Sequence, residues 1–287
     1  MDSASLTVVP QTAHNTPVTV IKPSKGWGSI DIREIWDHRE LLFFLAWRNV
    51  TVRYKQTVFG PAWIVLQPIL TMVLFTLLFG RLARIDSDGL PYSIFMFAGL
   101  VPWNFFATVL QQSSSSLVSE SSLIQSVYFP RLILPLSTVL SCFLDFILAF
   151  VILLGMMVFF HIYPTLNVLW LPAFVVLTMI ISVGVGFVLS ALNLHFRDVS
   201  QTIHLFIRMW FFATPVTYAS RLLPGKWNVL YNLNPMVVVV DGFRWALLGT
   251  DTAPGLNAVV ASVTALAVLF GGAYFFTRMG KTFADMV

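Results

Sequence analysis

The sequence predicts an all-α membrane protein of six transmembrane helices, with an amphipathic helix ahead of them and re-entrant helices between the fifth and sixth spans. Three observations predict it. Between Pro61 and Thr277 lie about six apolar stretches long enough to cross a bilayer, which takes roughly 20 residues. Of the 287 residues, 57% are hydrophobic and only 10% are charged, against about 25% charged in a soluble domain. A soluble core of this size would lack its charged shell. The mean hydropathy is +0.81. Each stretch is read as a helix because an open sheet leaves its backbone groups unpaired in lipid.

Residues 1–30 carry Pro10, Pro17 and Pro23 with no continuous apolar run, and read as a flexible tail. Residues 31–60 hold an amphipathic helix. Ile32, Ile35, Trp36, Phe43, Ala46, Trp47, Val50 and Tyr54 recur at helical spacing, with charged residues between them. Asp31 is placed as its N-cap, with Glu34 at the third helical position. Such a helix lies along a membrane surface or packs on a partner. Residues 61–287 form the spanning domain, with spans at about 61–80, 91–112, 131–160, 167–192, 201–219 and 256–277. The third contains Pro135 and is expected to tilt or to begin before the bilayer.

Lys and Arg orient the chain. Seven lie in the first 60 residues and four more (Arg131, Arg197, Arg278 and Lys281) in the even-numbered loops and C-terminus. Five (Arg81, Arg84, Arg221, Lys226 and Arg244) lie in the odd-numbered loops. The positive-inside rule puts both termini in the cytoplasm.

Two connections stand out. Residues 113–130 begin with four consecutive serines and leave Leu123 and Ile124 as an apolar knob, suited to docking a soluble partner. The stretch 220–255 is too long for a turn. Within it Asn234-Pro235 reads as a cap with proline in the first turn, and Gly249 as a stop. Asp241 and Arg244 stand three apart on one face, in position to pair.

The chemistry is sparse. Among 13 carboxylates only Asp145 falls well inside a span, and Arg208 is the one basic group there and its candidate partner. A buried charge of this kind is costly and needs pairing. The lone Cys142 makes no disulfide or thiol metal site, the five histidines show no metal spacing, and no P-loop is present. Hence no catalytic residue, metal or cofactor is expected in this chain. Trp103, Phe105 and Phe106, with Trp210, Phe211 and Phe212, cluster within spans. Aromatic faces with Gln111, Gln112 and the serines 113–116 nearby suit a glycan path.

The run Trp47-Arg48-Asn49-Val50-Thr51-Val52-Arg53-Tyr54-Lys55-Gln56-Thr57, then Gly60-Pro61-Ala62-Trp63 and Gln67-Pro68, resembles ABC-exporter permeases for polysaccharides and polyol phosphates. Tyr128-Phe129-Pro130-Arg131, Leu192-Asn193 with Arg197-Asp198, Pro215 with Tyr218, and Asn234-Pro235 with Asp241-Gly242-Phe243-Arg244 follow in the same order. The chain departs at Asn49, where family members often carry Asp, and at Asp241, where Glu is common.

The resemblance implies a homodimer in a bacterial inner membrane, driven by two copies of a cytoplasmic ABC ATPase that binds the ATP and Mg. It moves a lipid-linked (undecaprenyl) glycan, O-antigen first, with capsular polysaccharide or teichoic acid as alternatives. By the same resemblance 31–60 is the interface helix, about 117–130 the coupling helix, and about 220–250 the external gate. Ser119, Glu120, Leu123, Ile124, Phe129, Pro130 and Arg131 are then coupling residues. Arg48, Arg53 and Lys55 guide the lipid pyrophosphate, and Tyr218, Asn234, Pro235, Asp241 and Arg244 form the gate. An ion-coupled secondary transporter and a membrane enzyme acting on polyprenyl lipids remain as rivals; the scarcity of titratable groups in the spans weighs against both.

Overall fold

The computed structural model describes residues 32–55, 62–83, 86–196, 198–222, 231, 233–251 and 253–280. The expected tail, the Asp31 cap, Gln56, Thr57, Gly60, Pro61, Arg84, Arg197, Lys226 and Lys281 lie outside the described residues.

Among the described residues every regular element is helical. In chain order these are α1 (Ile32–Asp37), α2 (Arg39–Lys55), α3 (Ala62–Phe75), α4 (Tyr92–Ser119), α5 (Ser121–Ser126), α6 (Ile133–Phe159), α7 (Leu171–His195), α8 (Val199–Phe212), α9 (Pro235–Leu248) and α10 (Leu256–Met279). A π-helical stretch, Thr76–Leu82, prolongs α3, and a short 3₁₀ turn, Leu166–Trp170, leads into α7.

Among the described residues four segments are long and apolar enough to cross a membrane: Tyr92–Ser119, Ile133–Phe159, Leu166–His195 and Leu256–Met279. These match the expected second, third, fourth and sixth spans. Of the other two expected spans, the first corresponds to α3 with its π-helical extension, residues 62–82, and the fifth is α8, which is shorter and stops at Phe212 rather than near 219. Pro215 has no N–H to continue the helix. The carbonyls of Pro215, Val216 and Tyr218 instead turn toward Arg244. Pro135 does not break the third span: α6 begins at Ile133, so the proline sits in the first turn, where its missing N–H would be unpaired in any case.

The bundle is built around α4, which packs on α6 and α7, with α10 against α7. Ile94, Met96, Phe97, Phe106, Val109 and Leu110 of α4 are wholly buried. On α6 and α10 many large apolar residues face outward, among them Val151, Phe159, Val263 and Phe270, as lipid-facing surfaces do. α7 and α10 cross where a Cβ on Gly272 would lie 2.2 Å from the Gly184 carbonyl oxygen. That approach is open only to glycine, and it brings the two backbones into van der Waals contact.

Gly272→Ala should therefore force the helices apart and cost about 1–3 kcal/mol. Gly271→Ala, whose Cβ would meet nothing within 4 Å, should leave stability unchanged. Thermal unfolding of the two purified variants in detergent checks the contrast.

Candidate functional site: two polar hollows beside α4

α2 lies against α6. Leu45 and Ala46 anchor it by burial, while Trp36, Phe43 and Trp47 stand exposed. Its remaining face carries Arg48, Asn49 and Arg53, i and i+4 or i+5 apart, and this face looks onto α4 and α6. There it closes a hollow of about 470 Å³ lined by Arg48, Asn49, Arg53, Ser115, Ser119 and Glu120 among others. A second hollow of about 480 Å³ adjoins it, bounded by α3, α4 and α6 and lined by Trp63, Gln67, Asn104, Thr108, Gln111 and Asp145 among others. Arg53 and Gln112 belong to both.

The arginines in these walls are paired. Arg48 bonds to Glu120 at the end of α4. Arg53 bonds to Asp145 on α6, and also to Gln112 Oε1 at 2.6 Å and Ser141 Oγ at 3.4 Å. The Tyr54 hydroxyl donates to the second oxygen of Asp145 at 2.8 Å. Burial, reinforced by that hydrogen bond, pushes the Tyr54 phenol well above its ordinary pKa and keeps it a donor. The partner of Asp145 is therefore Arg53, 92 residues away in sequence, and not Arg208, which is exposed on α8. Asn49 reaches Ser137 Oγ at 3.5 Å, a neutral contact in place of a charged one. Lys55 is exposed.

The serines expected near the path divide by face. Ser113 shares a hydrogen bond with Thr138 at 2.7 Å, and Asn193 donates to the Ser114 carbonyl at 2.9 Å, so these two knit α4 to α6 and α7. Ser115 and Ser119 face the first hollow. The aromatics Trp103, Phe105 and Phe106 are buried in the core. Trp103 meets Phe106 and Phe211 at 5.6 Å each, and Phe106 meets Trp210 at 4.9 Å. Phe105 also borders the second hollow, and Phe212 is exposed.

At the end of α4, α5 is seated on the bundle. Leu123 and Ile124 are half-buried against a second core cluster that includes Leu45, Phe129, Leu132 and Phe276, so they do not form the exposed knob expected of them. Val127 and Tyr128 are the exposed apolar residues there, and Phe129 is buried. Arg131 donates to the Gly280 carbonyl at 2.6 Å, tying this segment to the end of α10. Ser119 bonds to the Ser116 carbonyl, and Pro130 accepts from Ile133 N.

At the opposite end of α4, Arg244 of α9 is fully buried. It donates to the carbonyls of Phe95, Pro215, Tyr218 and Val216 at 3.2, 2.6, 3.3 and 2.7 Å. Its guanidinium lies 3.6 Å from the Phe95 ring centroid, and Asp241 stands 3.9 Å away. Asp241 also accepts from Ser220 Oγ. Asn234 caps α9 by accepting from Met236 N at 3.1 Å, with Pro235 in the first turn and Gly249 left-handed past the end (φ +71°). Asn234 also accepts from Trp210 Nε1, and Tyr231 donates to the Tyr218 hydroxyl. The residues expected at the gate thus form one bonded cluster.

Sequence reasoning missed the ion pair of Arg221 with Asp86 and Asp88, which has no local signature. It also missed Asn104 and Thr108, and took Gln67 only as part of a family motif. Asn104, Thr108, Gln111 or Gln112, Ser115 and Ser119 recur at helical spacing along α4, and that stripe was a signal available in the sequence.

Residues 40–248 match the family model of ABC-2 type transporters. The chain belongs to that family. This ABC-2 permease is similar to the O-antigen export system permease protein RfbA of Myxococcus xanthus, 28% identical over 259 residues that cover 89% of this chain and 98% of that protein. It is 30% identical to the RfbA protein of Klebsiella pneumoniae over 206 residues, covering 71% of this chain and 79% of that one. It is 22% identical to the polysialic acid transport protein KpsM of Escherichia coli over 230 residues, covering 78% and 88% respectively. All three are named as export or transport proteins, and the long apolar helices of this chain suit a multi-pass membrane protein.

In the permease, Arg53→Gln and Asp145→Asn should each lower stability by about 1–3 kcal/mol, less than a fully buried pair because both side chains keep some exposure. The double variant should lose less than the sum of the two. Arg208→Gln should change stability by less than about 0.5 kcal/mol. A double-mutant cycle on detergent-solubilised protein reads all three.

Proposed function

We propose that this permease is the membrane subunit of an ATP-driven exporter that moves a lipid-linked polysaccharide of O-antigen type out of the cytoplasm. The likeness to an O-antigen export permease along almost the whole length of that protein carries the reading. The polar hollows beside α4 support it, since they offer hydroxyl and amide groups inside a hydrocarbon-facing bundle. In this reading six segments span the inner membrane, α3 with its π-helical extension and α8 completing the six in a homodimer. Both termini are cytoplasmic, following the Lys and Arg distribution. α1 and α2 are the interface helix, and Arg48, Arg53 and Lys55 meet the undecaprenyl diphosphate as it approaches. α5 and the residues after it form the coupling surface for the ATPase, with Val127 and Tyr128 as its exposed contacts. The cluster around Arg244 is the external gate.

The ATP and Mg belong to the partner, because the chain carries no P-loop. The partner's closure is transmitted through α5, whose seating against Leu45 and Phe276 couples it to α2 and α10. An ion-coupled mechanism has less support: Asp145, the carboxylate it would rely on, is already held by Arg53 and Tyr54. A capsular polysaccharide cargo is the second reading, favoured by the more distant likeness to KpsM.

Copurification of the permease with a tagged cognate ATPase is the direct test. Hydrolysis by the complex in proteoliposomes should rise several-fold on addition of undecaprenyl-diphosphate-linked O-polysaccharide. Export by the permease alone would overturn the reading. Asp at both Val127 and Tyr128 should abolish copurification while membrane insertion stays intact; undiminished recovery of the ATPase would rule out that surface as the coupling contact.

A further inference from the structure

We propose that the hollow bounded by α3, α4 and α6 seats a neutral sugar ring of the cargo, hydrogen-bonded by Gln67, Asn104 and Thr108 and flanked by the indole of Trp63. This inference rests on the exporter reading and names the part of the substrate that one site takes.

Observations on its size, charge, lining and surroundings lead to it. The hollow, about 480 Å³, has the size of a small-molecule site. Its charged lining residues among those described, Arg53 and Asp145, are bonded to each other. The walls therefore offer a diphosphate no net charge, but they accommodate an uncharged polyol. The side chains of Gln67, Asn104 and Thr108 line the space and have no hydrogen-bond partner among the described residues. Gln67 is exposed and Asn104 and Thr108 are half-buried, so their polar groups are open to whatever fills the hollow. Amides and a hydroxyl, each both donor and acceptor, match the mixed demands of vicinal sugar hydroxyls. Trp63 borders the same space and is half exposed, so it supplies a flat apolar face for the C–H side of a ring. The polar stripe of α4 continues from Asn104 to Ser119, roughly 22 Å at helical rise, and leads from this hollow into the one beside Arg48. By contrast Trp103, Phe106 and Phe211 are spent on packing against one another.

The test uses the full-length chain in phosphatidylcholine nanodiscs and two radiolabelled probes: undecaprenyl diphosphate carrying a neutral disaccharide, and undecaprenyl diphosphate without sugar. The wild type should bind the sugar-bearing probe more tightly. The pair of substitutions Asn104→Leu and Thr108→Val keeps the branching of each side chain and raises hydropathy, so insertion is not disfavoured. It should weaken the sugar-bearing probe about tenfold and leave the bare diphosphate unchanged, which also certifies that the variant is folded. Thr108→Val alone should act in the same direction by about threefold. Equal affinity of the wild type for both probes, no effect of the substitutions, or equal weakening of both probes would each overturn the proposal. So would displacement of the sugar-bearing probe by phosphatidylglycerol at equal mole fraction, which would make the hollow a lipid-headgroup site. Sugar-dependent binding that follows the expected pattern, without glycan-stimulated hydrolysis in the ATPase complex, would sustain this site and sink the exporter reading instead.

Discussion

A charge placed among apolar helices must bring its partners with it, and the fully buried Arg244 organises one whole end of this protein in that way. Its guanidinium can be held only where several oxygens converge. The chain supplies them from backbone: one carbonyl from α4 and three from the turns after α8. Those carbonyls are free because α8 has ended, so the arginine and the helix stop are two sides of one arrangement. Gly99 belongs to it as well, since a Cβ there would lie 2.8 Å from Nη2 of Arg244. On the same helix, Gly242 lets α9 close against the Phe174 ring. The segment Pro235–Leu248, at 14 residues too short to cross a bilayer by itself, is thus fixed against α4 and the turns after α8 by polar satisfaction.

The same constraint acts at the other end of α4 with different means. Arg48 and Arg53 find carboxylates, not carbonyls, and both carboxylates come from elements distant in sequence. α2 is consequently bolted to the bundle by two ion pairs, besides the burial of Leu45 and Ala46. Any anion that reaches these arginines must compete with Glu120 and Asp145 for them.

Much of this architecture was legible in the sequence, where local physics decides. The cap at Asn234, the proline behind it and the stop at Gly249 are short-range hydrogen bonding and backbone conformation. The long spans at α4, α6, α7 and α10 follow from apolar length. Legibility failed where a residue's role depends on what faces it across the bundle. Asp145 was the evident carboxylate inside a span, yet its partner was sought on α8 because Arg208 is the one basic group that the sequence places inside a span, while Arg53, 92 residues away, reads as part of the surface helix. Leu123 and Ile124 looked like an exposed knob because nothing local reveals the pocket formed by Leu45, Phe129 and Phe276. The aromatics of α4 and α8 looked like a lining, and the tertiary structure packs most of them on one another, leaving the polar stripe to face the hollows.

By itself the sequence determined that lipid is the solvent, that the elements are helices, where the α9 segment starts and stops, and which exporter family the motifs resemble. Each of these is set by composition, by apolar length or by interactions within a few residues. Only the tertiary structure decided which charges neutralise which, that α8 ends at Phe212, and which face of α4 borders the hollows. Those outcomes depend on long-range pairing in a low dielectric, where an unpaired group is too costly to leave, and the identity of the partner is written in the packing of the helices.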